Sequence, residues 1–284
     1  MQLNKNVSAF IGCEADFDEA KIVVIGAPFD STTSYRPGTR FASSVIRKES
    51  FGLEIYSPYQ DKELDTLSVC DAGDLNLPFG NASRALDVIE EASEEILSAG
   101  KLPFLIGGEH LVTLGIFRAV FKKYPDVHIV HFDAHTDLRD DYMGEKLSHA
   151  TVIRRCHDLI GDKKIYQFGI RSGEKAEFEF AKHHLIQEKF TAHTIDSALT
   201  DLAGKPVYLT IDLDVLDPSQ LPGTGTPEAG GLSFETLRSA LMKVTDLNIV
   251  GIDVNELNPM LDPTGASTAL AGKLIRELLI ALQK

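Results

Sequence analysis

Short apolar runs that alternate with helical segments constrain the fold of this chain more than any other feature of its sequence. Six runs rich in β-branched residues predict buried strands, and five segments with helical periodicity lie among them. The predicted strands span 21–26, 102–108, 127–133, 165–169, 207–212 and 248–253. The predicted helices span 82–99, 112–122, 175–184, 233–244 and 267–282. This order predicts an α/β fold whose parallel sheet is covered by helices on both faces.

Two predicted helices are bounded by residues that suit helix capping, one at its start and one at its end. Ser233, with Thr236 three residues later, is a plausible helix start, and Gly100 is a plausible helix stop. The 284 residues contain no internal repeat, low-complexity tract or proline- and serine-rich linker that would mark a domain boundary. We therefore expect a single domain over residues 1–284.

The charge balance excludes several classes of partner. The chain has 28 Lys+Arg and 42 Asp+Glu, a net charge of −14, so it offers no basic stripe for nucleic acid or an anionic membrane. A cationic substrate or a metal suits this charge better. The first residues lack a signal-like apolar region and no long apolar run follows, which predicts a soluble, cytoplasmic protein. The cysteines, Cys13, Cys70 and Cys156, are far apart and predict buried reduced thiols.

Possible metal ligands follow three of the predicted strands. They are His110, Asp133, His135, Asp137, Asp212 and Asp214. Carboxylates and imidazoles without a thiolate suit an ion such as Mn²⁺, and the charges of four carboxylates balance those of two divalent ions. Bridging carboxylates would hold two ions ~3.5–4 Å apart, as in binuclear hydrolases. Asp and His at strand ends also cap helices and satisfy turns, so this interpretation depends on the three clusters meeting in space.

Three motifs resemble the signatures of the ureohydrolases, the family of arginases, agmatinases and their relatives. They are Gly-Gly-Glu-His at 107–110, Asp-Ala-His-Thr-Asp at 133–137 and Asp-Leu-Asp-Val-Leu-Asp-Pro at 212–218. Further similar segments at 26–30, 35–40, 222–227 and 253–259 extend the resemblance over nearly the whole chain. The resemblance implies an arginase-like fold with about eight parallel strands, and an oligomer that is a trimer or a hexamer. It also implies hydrolysis of a guanidinium group to urea and an amine.

The resemblance further implies two Mn²⁺ ions per chain and a hydroxide that bridges them and attacks the guanidinium. One ion would be bound by His110, Asp133, Asp137 and Asp212. The other would be bound by Asp133, His135, Asp212 and Asp214, so that Asp133 and Asp212 bridge.

Four further assignments concern catalysis and substrate binding. Glu256 matches the glutamate that binds the guanidinium, and His149 matches a proton-shuttling histidine expected to titrate near neutral pH. Asp137 counts as a catalytic residue as well as a ligand, and Thr226 belongs to a loop that shapes the wall of the site. Without the resemblance, Glu256 could equally be a capping carboxylate and His149 a solvated loop residue. The other histidines lack such a context and are interpreted as structural or exposed.

The identity of the substrate depends on which protein groups bind the end of the substrate that is remote from its guanidinium. Segment 139–146 is expected at the pocket mouth, where acids would meet a remote amine: Asp140, Asp141, Glu145 and, from a later segment, Glu174. This favours agmatine, with urea and putrescine as products. Arg139 and Lys146 could instead recruit a carboxylate, which keeps guanidinobutyrase or another guanidino-acid hydrolase as the alternative and arginase as a less favoured one. A hypothesis of a different class is a metal-binding regulatory homologue without turnover.

Overall fold

A sheet of nine strands forms the centre of the protein across the residues that the computed structural model describes, 3–4 and 9–283. The strands are β1 (Leu3–Asn4), β2 (Ile22–Gly26), β3 (Tyr56–Ser57), β4 (Lys62–Glu63), β5 (Val69–Leu75), β6 (Leu102–Ile106), β7 (His128–Phe132), β8 (Ile165–Ile170), β9 (Ile186–Lys189), β10 (Pro206–Asp212) and β11 (Asn248–Asn255). The order in the sheet is β1-β5-β2-β6-β11-β10-β7-β8-β9, and β3 and β4 pair separately. Strand β1 is antiparallel to β5, and the other eight strands are parallel.

Helices cover both faces of this sheet. They are α1 (Ala42–Ser50), α2 (Ala82–Ser98), α3 (Thr113–Lys123), α4 (Val152–Ile160), α5 (Lys175–His184), α6 (Ile195–Leu202), α7 (Phe234–Val244) and α8 (Ala266–Ala281). Successive strand residues point to opposite faces, so Val24 packs in a core with α1, α6, α7 and α8. Val23 and Ile25 pack in a second core with α2 to α5. The predicted parallel α/β sheet with helices on both faces is therefore confirmed.

All six predicted strands and all five predicted helices are present, with ends shifted by at most a few residues. Ser233 caps α7 by accepting a hydrogen bond from the Thr236 backbone N–H at 3.1 Å. Gly100 follows the end of α2 with a φ of +75°, a conformation that glycine adopts readily. The three cysteines are buried reduced thiols, as predicted. No helix in the described ranges is both long and apolar enough to cross a membrane.

Strand β5 is the main element that the sequence pattern did not predict. Its sequence, Val-Cys-Asp-Ala-Gly-Asp-Leu, contains two aspartates and a glycine, residues that are depleted in strands. Both aspartates are compensated by Arg47 from α1, which pairs with Asp71 at 2.7 Å and also with Asp74. Because this partner is distant in sequence, no local pattern could reveal it. Helices α1, α4 and α6 were also not predicted.

The strand order explains where chemistry can occur. The neighbours β6, β11, β10 and β7 all run in the same direction, so their carboxyl ends meet at one edge of the sheet. The segments that follow these four strands carry all six predicted ligands and Glu256. Such an edge is where open α/β sheets usually bind ligands.

Candidate active site

His110 joins three of the predicted ligands beyond the ends of β6, β7 and β10. Its Nδ1 lies 2.9 Å from Asp137 Oδ2, 3.1 Å from Asp133 Oδ2 and 3.5 Å from Asp212 Oδ2. Its Nε2 is 2.9 Å from the Thr210 hydroxyl, which fixes the orientation of the ring. One imidazole nitrogen therefore faces three carboxylates, the set of residues expected to share one ion.

His135 organises the neighbouring group. Its Nδ1 lies 3.0 Å from Asp214 Oδ2 and 3.6 Å from Asp133 Oδ1, so Asp133 is common to both groups. The backbone holds these acids in place, because the Asp214 N–H donates to Asp212 at 2.8 Å and the Ala134 N–H donates to Asp214 at 3.1 Å. The three sequence clusters thus meet in space, as their functional interpretation required.

The burial and charge of the four aspartates suit a bound cation. All four are buried, and among the described residues their ion-pair partners are histidines, with no lysine or arginine. Burial, together with the charges of Asp214 and Asp133, raises the pKa of Asp212 well above its usual value. Burial and the charge of Asp133 raise the pKa of Asp137 to about 7. Four converging buried carboxylates suit divalent cations, which would keep Asp212 and Asp137 ionised.

Glu256 lies directly after β11 and beside this cluster. Its Oε1 accepts a hydrogen bond from the His110 backbone N–H at 2.7 Å, and its own N–H donates to Gly108 at 2.9 Å. Its φ of +66° is unusual for a residue other than glycine, and Asp137 shares this feature with a φ of +52°. Burial and the neighbouring charge of Glu109 raise the pKa of Glu256 well above its usual value. A guanidinium cation bound against it would ionise it.

His149 follows Ser148, which caps the short 3₁₀ turn His149–Thr151. Its half-buried ring has Nε2 3.0 Å from the Ser34 hydroxyl, and the Ser34 N–H donates to the same nitrogen at 3.3 Å. This places the ring proton of neutral His149 on Nδ1. Burial and the cationic forms of His135 and His110 lower the pKa of His149 to about 4. This pKa is below the near-neutral one expected from the sequence, so the ring of His149 is neutral at pH 7.

A cavity of about 300 Å³ opens from this cluster to solvent. Its lining includes most of the predicted site residues: His135, Asp137, His149, Glu174, Asp212, Thr226 and Glu256. Thr226 lies 3.4 Å from Asp214 Oδ2, so the loop that contains it does form part of the wall. Arg139 and Tyr142 line the cavity as well, and the guanidinium of Arg139 stacks 4.8 Å from the Tyr142 ring.

The acids expected at the pocket mouth are only partly there. Glu174 lines the cavity, but its carboxylate is bound to Arg139 at 3.1 Å. Asp140, Asp141 and Glu145 are not among the lining residues, so this part of the expectation was wrong. Asp140 pairs with Arg155 at 2.9 Å, and Asp141 accepts the Gly144 N–H within its own turn. The carboxylates of Asp140 and Asp141 therefore bind local partners outside the cavity.

Two residues near the site were missed by sequence reasoning. His131, interpreted as structural or exposed, is fully buried with its Nε2 2.8 Å from Asp133 Oδ2. The signal was present, because residues two apart on a strand project to the same face. Glu109 is buried, its pKa is raised to about 7 by burial, and it accepts hydrogen bonds from Thr32 and Thr33. Since the Thr32 hydroxyl accepts the His149 N–H at 3.1 Å, Glu109 anchors the loop beside His149.

The chain as a whole is similar to known proteins of one family. The model of the Arginase family matches residues 20–281. An agmatinase from Bacillus cereus is 50% identical over 279 residues, which is 97% of this chain and 96% of the relative. An agmatinase from Bacillus subtilis is 49% identical with the same coverage. The solved structure of the agmatine ureohydrolase of Thermoplasma volcanium superposes with a TM-score of 0.89 at 34% identity, covering 98% of this chain and 94% of that one.

Proposed function

This chain belongs to the arginase family, and we propose that it hydrolyses agmatine to urea and putrescine with two Mn²⁺ ions held at the carboxyl edge of its sheet. Family membership makes the chain a ureohydrolase enzyme, which argues against the regulatory homologue without turnover. The proposal takes residues 1–284 as one ureohydrolase domain.

The donor set supports manganese as the resident metal. In our assignment His110, Asp133, Asp137 and Asp212 hold one ion and Asp133, His135, Asp212 and Asp214 hold the other. The first group is supported by the approach of His110 Nδ1 to all three of its aspartates. Oxygen ligands with imidazoles and no thiolate match the preference of Mn²⁺. When bound, the two ions would supply the Lewis acidity that lets water act as a nucleophile at neutral pH.

The protein must also hold a guanidinium, which is a poor electrophile because its charge is delocalised. Glu256 lines the cavity beside the ligand cluster and is the carboxylate we assign to the guanidinium. Ionised Glu256 would pair with the cation through charge-assisted hydrogen bonds and fix its orientation. His149, whose unprotonated Nε2 is held by Ser34, would exchange that contact to take a proton from the water consumed and pass it to the departing amine.

Glu256→Gln is expected to lower kcat/KM for the guanidine substrate by about 10–100-fold, because a hydrogen bond to a charged group is worth about 1.5–3 kcal/mol. Both a higher KM and a lower kcat are expected, since Glu256 binds and orients the same group. Steady-state urea release measures both quantities. Glu179→Gln, on α5 outside this cavity, is the control and should leave them unchanged. Wild-type kinetics in Glu256→Gln with a full metal content would contradict the role.

The existing ion pairs of Arg139 are the observation that supports agmatine as the substrate. Among the described lining residues, Arg139 alone has a guanidinium or ammonium group, and it already pairs with Glu174 at 3.1 Å and Glu177 at 3.6 Å. Arg36, beside the neighbouring outer pocket, donates to the carbonyls of Gly225 and Thr224. The carboxylate of arginine or guanidinobutyrate would have to displace an existing partner, whereas the tail of agmatine has no carboxylate to satisfy.

A substrate panel tests this choice. Urea release from agmatine, arginine and guanidinobutyrate should give at least about a tenfold higher kcat/KM for agmatine, since an unpaired carboxylate costs about 1–3 kcal/mol. Glu174→Gln should free Arg139 and reduce the preference about two- to fivefold, because an exposed ion pair is worth at most about 1 kcal/mol. Asp140→Asn removes a charge from the same region outside the cavity and should leave the preference unchanged.

Each result of the panel has a definite meaning. Equal or greater efficiency on guanidinobutyrate would show that Arg139 captures the carboxylate, and would favour the guanidino-acid hydrolase. Equal shifts in Glu174→Gln and Asp140→Asn would show that net charge, rather than the Arg139 pair, sets selectivity. Urea from none of the three guanidines by the Mn²⁺-loaded enzyme would overturn the proposed function.

A further inference from the structure

Three ligand-type side chains converge at the opposite edge of the sheet from the candidate active site. His157 lies near the end of α4, Asp162 in the turn that leads to β8, and His184 at the end of α5. Asp162 Oδ1 lies 2.8 Å from His157 Nε2 and 2.7 Å from His184 Nδ1. These three ligand atoms all lie within 4.8 Å of one another. We call His157, Asp162 and His184 the amino-edge cluster.

The surroundings hold both imidazole rings in place. Phe180 stacks on His184 with centroids 4.2 Å apart and packs edge-on against His157 at 4.9 Å. The backbone N–H of Lys163 donates to the His184 carbonyl at 2.7 Å, which ties the turn to the end of α5. A metal would therefore find its ligands already arranged, with little side-chain entropy left to lose on binding.

The exposure of the cluster also suits an ion that enters from solvent. The exposed fractions of the side chains are 12% for His157, 35% for His184 and 57% for Asp162. Two imidazoles and one carboxylate form a set that Zn²⁺ binds in a tetrahedral site, with water in the fourth position. This set contains fewer carboxylates than the site beyond β7 and β10, and thus prefers a softer ion than Mn²⁺.

We propose that the amino-edge cluster is an additional metal site that takes one Zn²⁺ ion per chain and links α4 to α5. The site is independent of the proposed function, because none of its residues lines the catalytic cavity. His157 Nδ1 has no hydrogen-bond partner among the described residues. Since such a partner strengthens metal binding roughly 10–100-fold, the affinity of this site is expected to be micromolar.

The test counts zinc on the manganese-loaded enzyme. The protein is dialysed against micromolar Zn²⁺ with millimolar Mn²⁺ in excess, and both metals are measured per chain by mass spectrometry. The wild type should bind one more Zn²⁺ than His184→Ala or Asp162→Asn. His183→Ala is the matched control, because His183 is an exposed neighbour outside the cluster and should retain the ion.

Thermal melting gives a second readout. A hundredfold excess of Zn²⁺ over its Kd should raise the Tm of the wild type and of His183→Ala by about 4 °C more than that of His184→Ala. Equal zinc counts in the wild type and both cluster variants would overturn the proposal. If His184→Ala failed to fold, Asp162→Asn would decide, because its side chain is largely exposed and its replacement leaves the ring packing intact. A urea assay that failed would bear on the proposed function and not on this site.

Discussion

Replacing Asp212 by asparagine is expected to reduce urea formation by at least about a thousandfold, because even the outer partners of a metal ligand contribute roughly 10–100-fold. In our assignment Asp212 is shared by both ions, so its loss removes a ligand from each. Burial and the charges of neighbouring carboxylates raise the pKa of Asp212 well above normal, which shifts this residue towards its neutral form in the metal-free protein. Asparagine resembles that form, and the metal-free variant should therefore fold as well as the wild type.

The defect should appear only when metal is added. Mn²⁺ at a hundredfold excess over its Kd should raise the Tm of the wild type by about 4 °C per ion, and this gain should shrink in Asp212→Asn. Metal analysis should find close to two ions in the wild type and fewer in the variant.

Asp217→Asn provides the contrast, since Asp217 accepts hydrogen bonds from the N–H groups of Ser219, Gly230 and Gly231 and belongs to neither ligand group. It should lose stability but keep its metal and most of its activity. Two bound ions or wild-type turnover in Asp212→Asn would refute the bridging role.

The convergence of the candidate ligands could be predicted because its signal is local. Asp133, His135 and Asp137 alternate after β7, and Asp212 and Asp214 alternate at the end of β10, so parallel strands alone bring them to one edge. The pairing of Arg139 with Glu174 joins residues 35 positions apart and has no such signature. The acids of segment 139–146 were misplaced for the same reason, because Arg155 on α4 draws Asp140 away from the cavity.

Backbone conformation was the other information that the sequence lacked. Asp137 and Glu256 both have positive φ, which side chains other than glycine adopt at a cost. Surrounding hydrogen bonds offset that cost by holding the residues in place, such as the bond that Glu256 accepts from the His110 N–H. A motif can identify such a residue, but the direction in which its side chain points depends on the complete fold.

His149→Ala is expected to lower kcat by about 10²–10⁴-fold while leaving two metal ions bound, because a positioned proton-transfer group typically contributes that much. His149 belongs to neither ligand group, and its Nε2 is held by Ser34. His193→Ala, an exposed histidine outside this cavity, should retain wild-type kcat. Ser34→Ala should show a smaller loss, since it removes the hydroxyl but leaves the backbone N–H that also orients the ring.

The pH dependence distinguishes the two possible protonation states of His149. With its pKa lowered to about 4, the ring is neutral from pH 6 to 9. A neutral acceptor acts equally well across that range, so the ratio of wild-type to His149→Ala kcat should stay constant. A histidine that titrates near neutral pH and acts as a ready-made acid would instead lose its proton as the pH rises, and the ratio would fall above pH ~7. A falling ratio would therefore restore the acid role expected from the sequence, and a ratio near one throughout would remove His149 from the reaction.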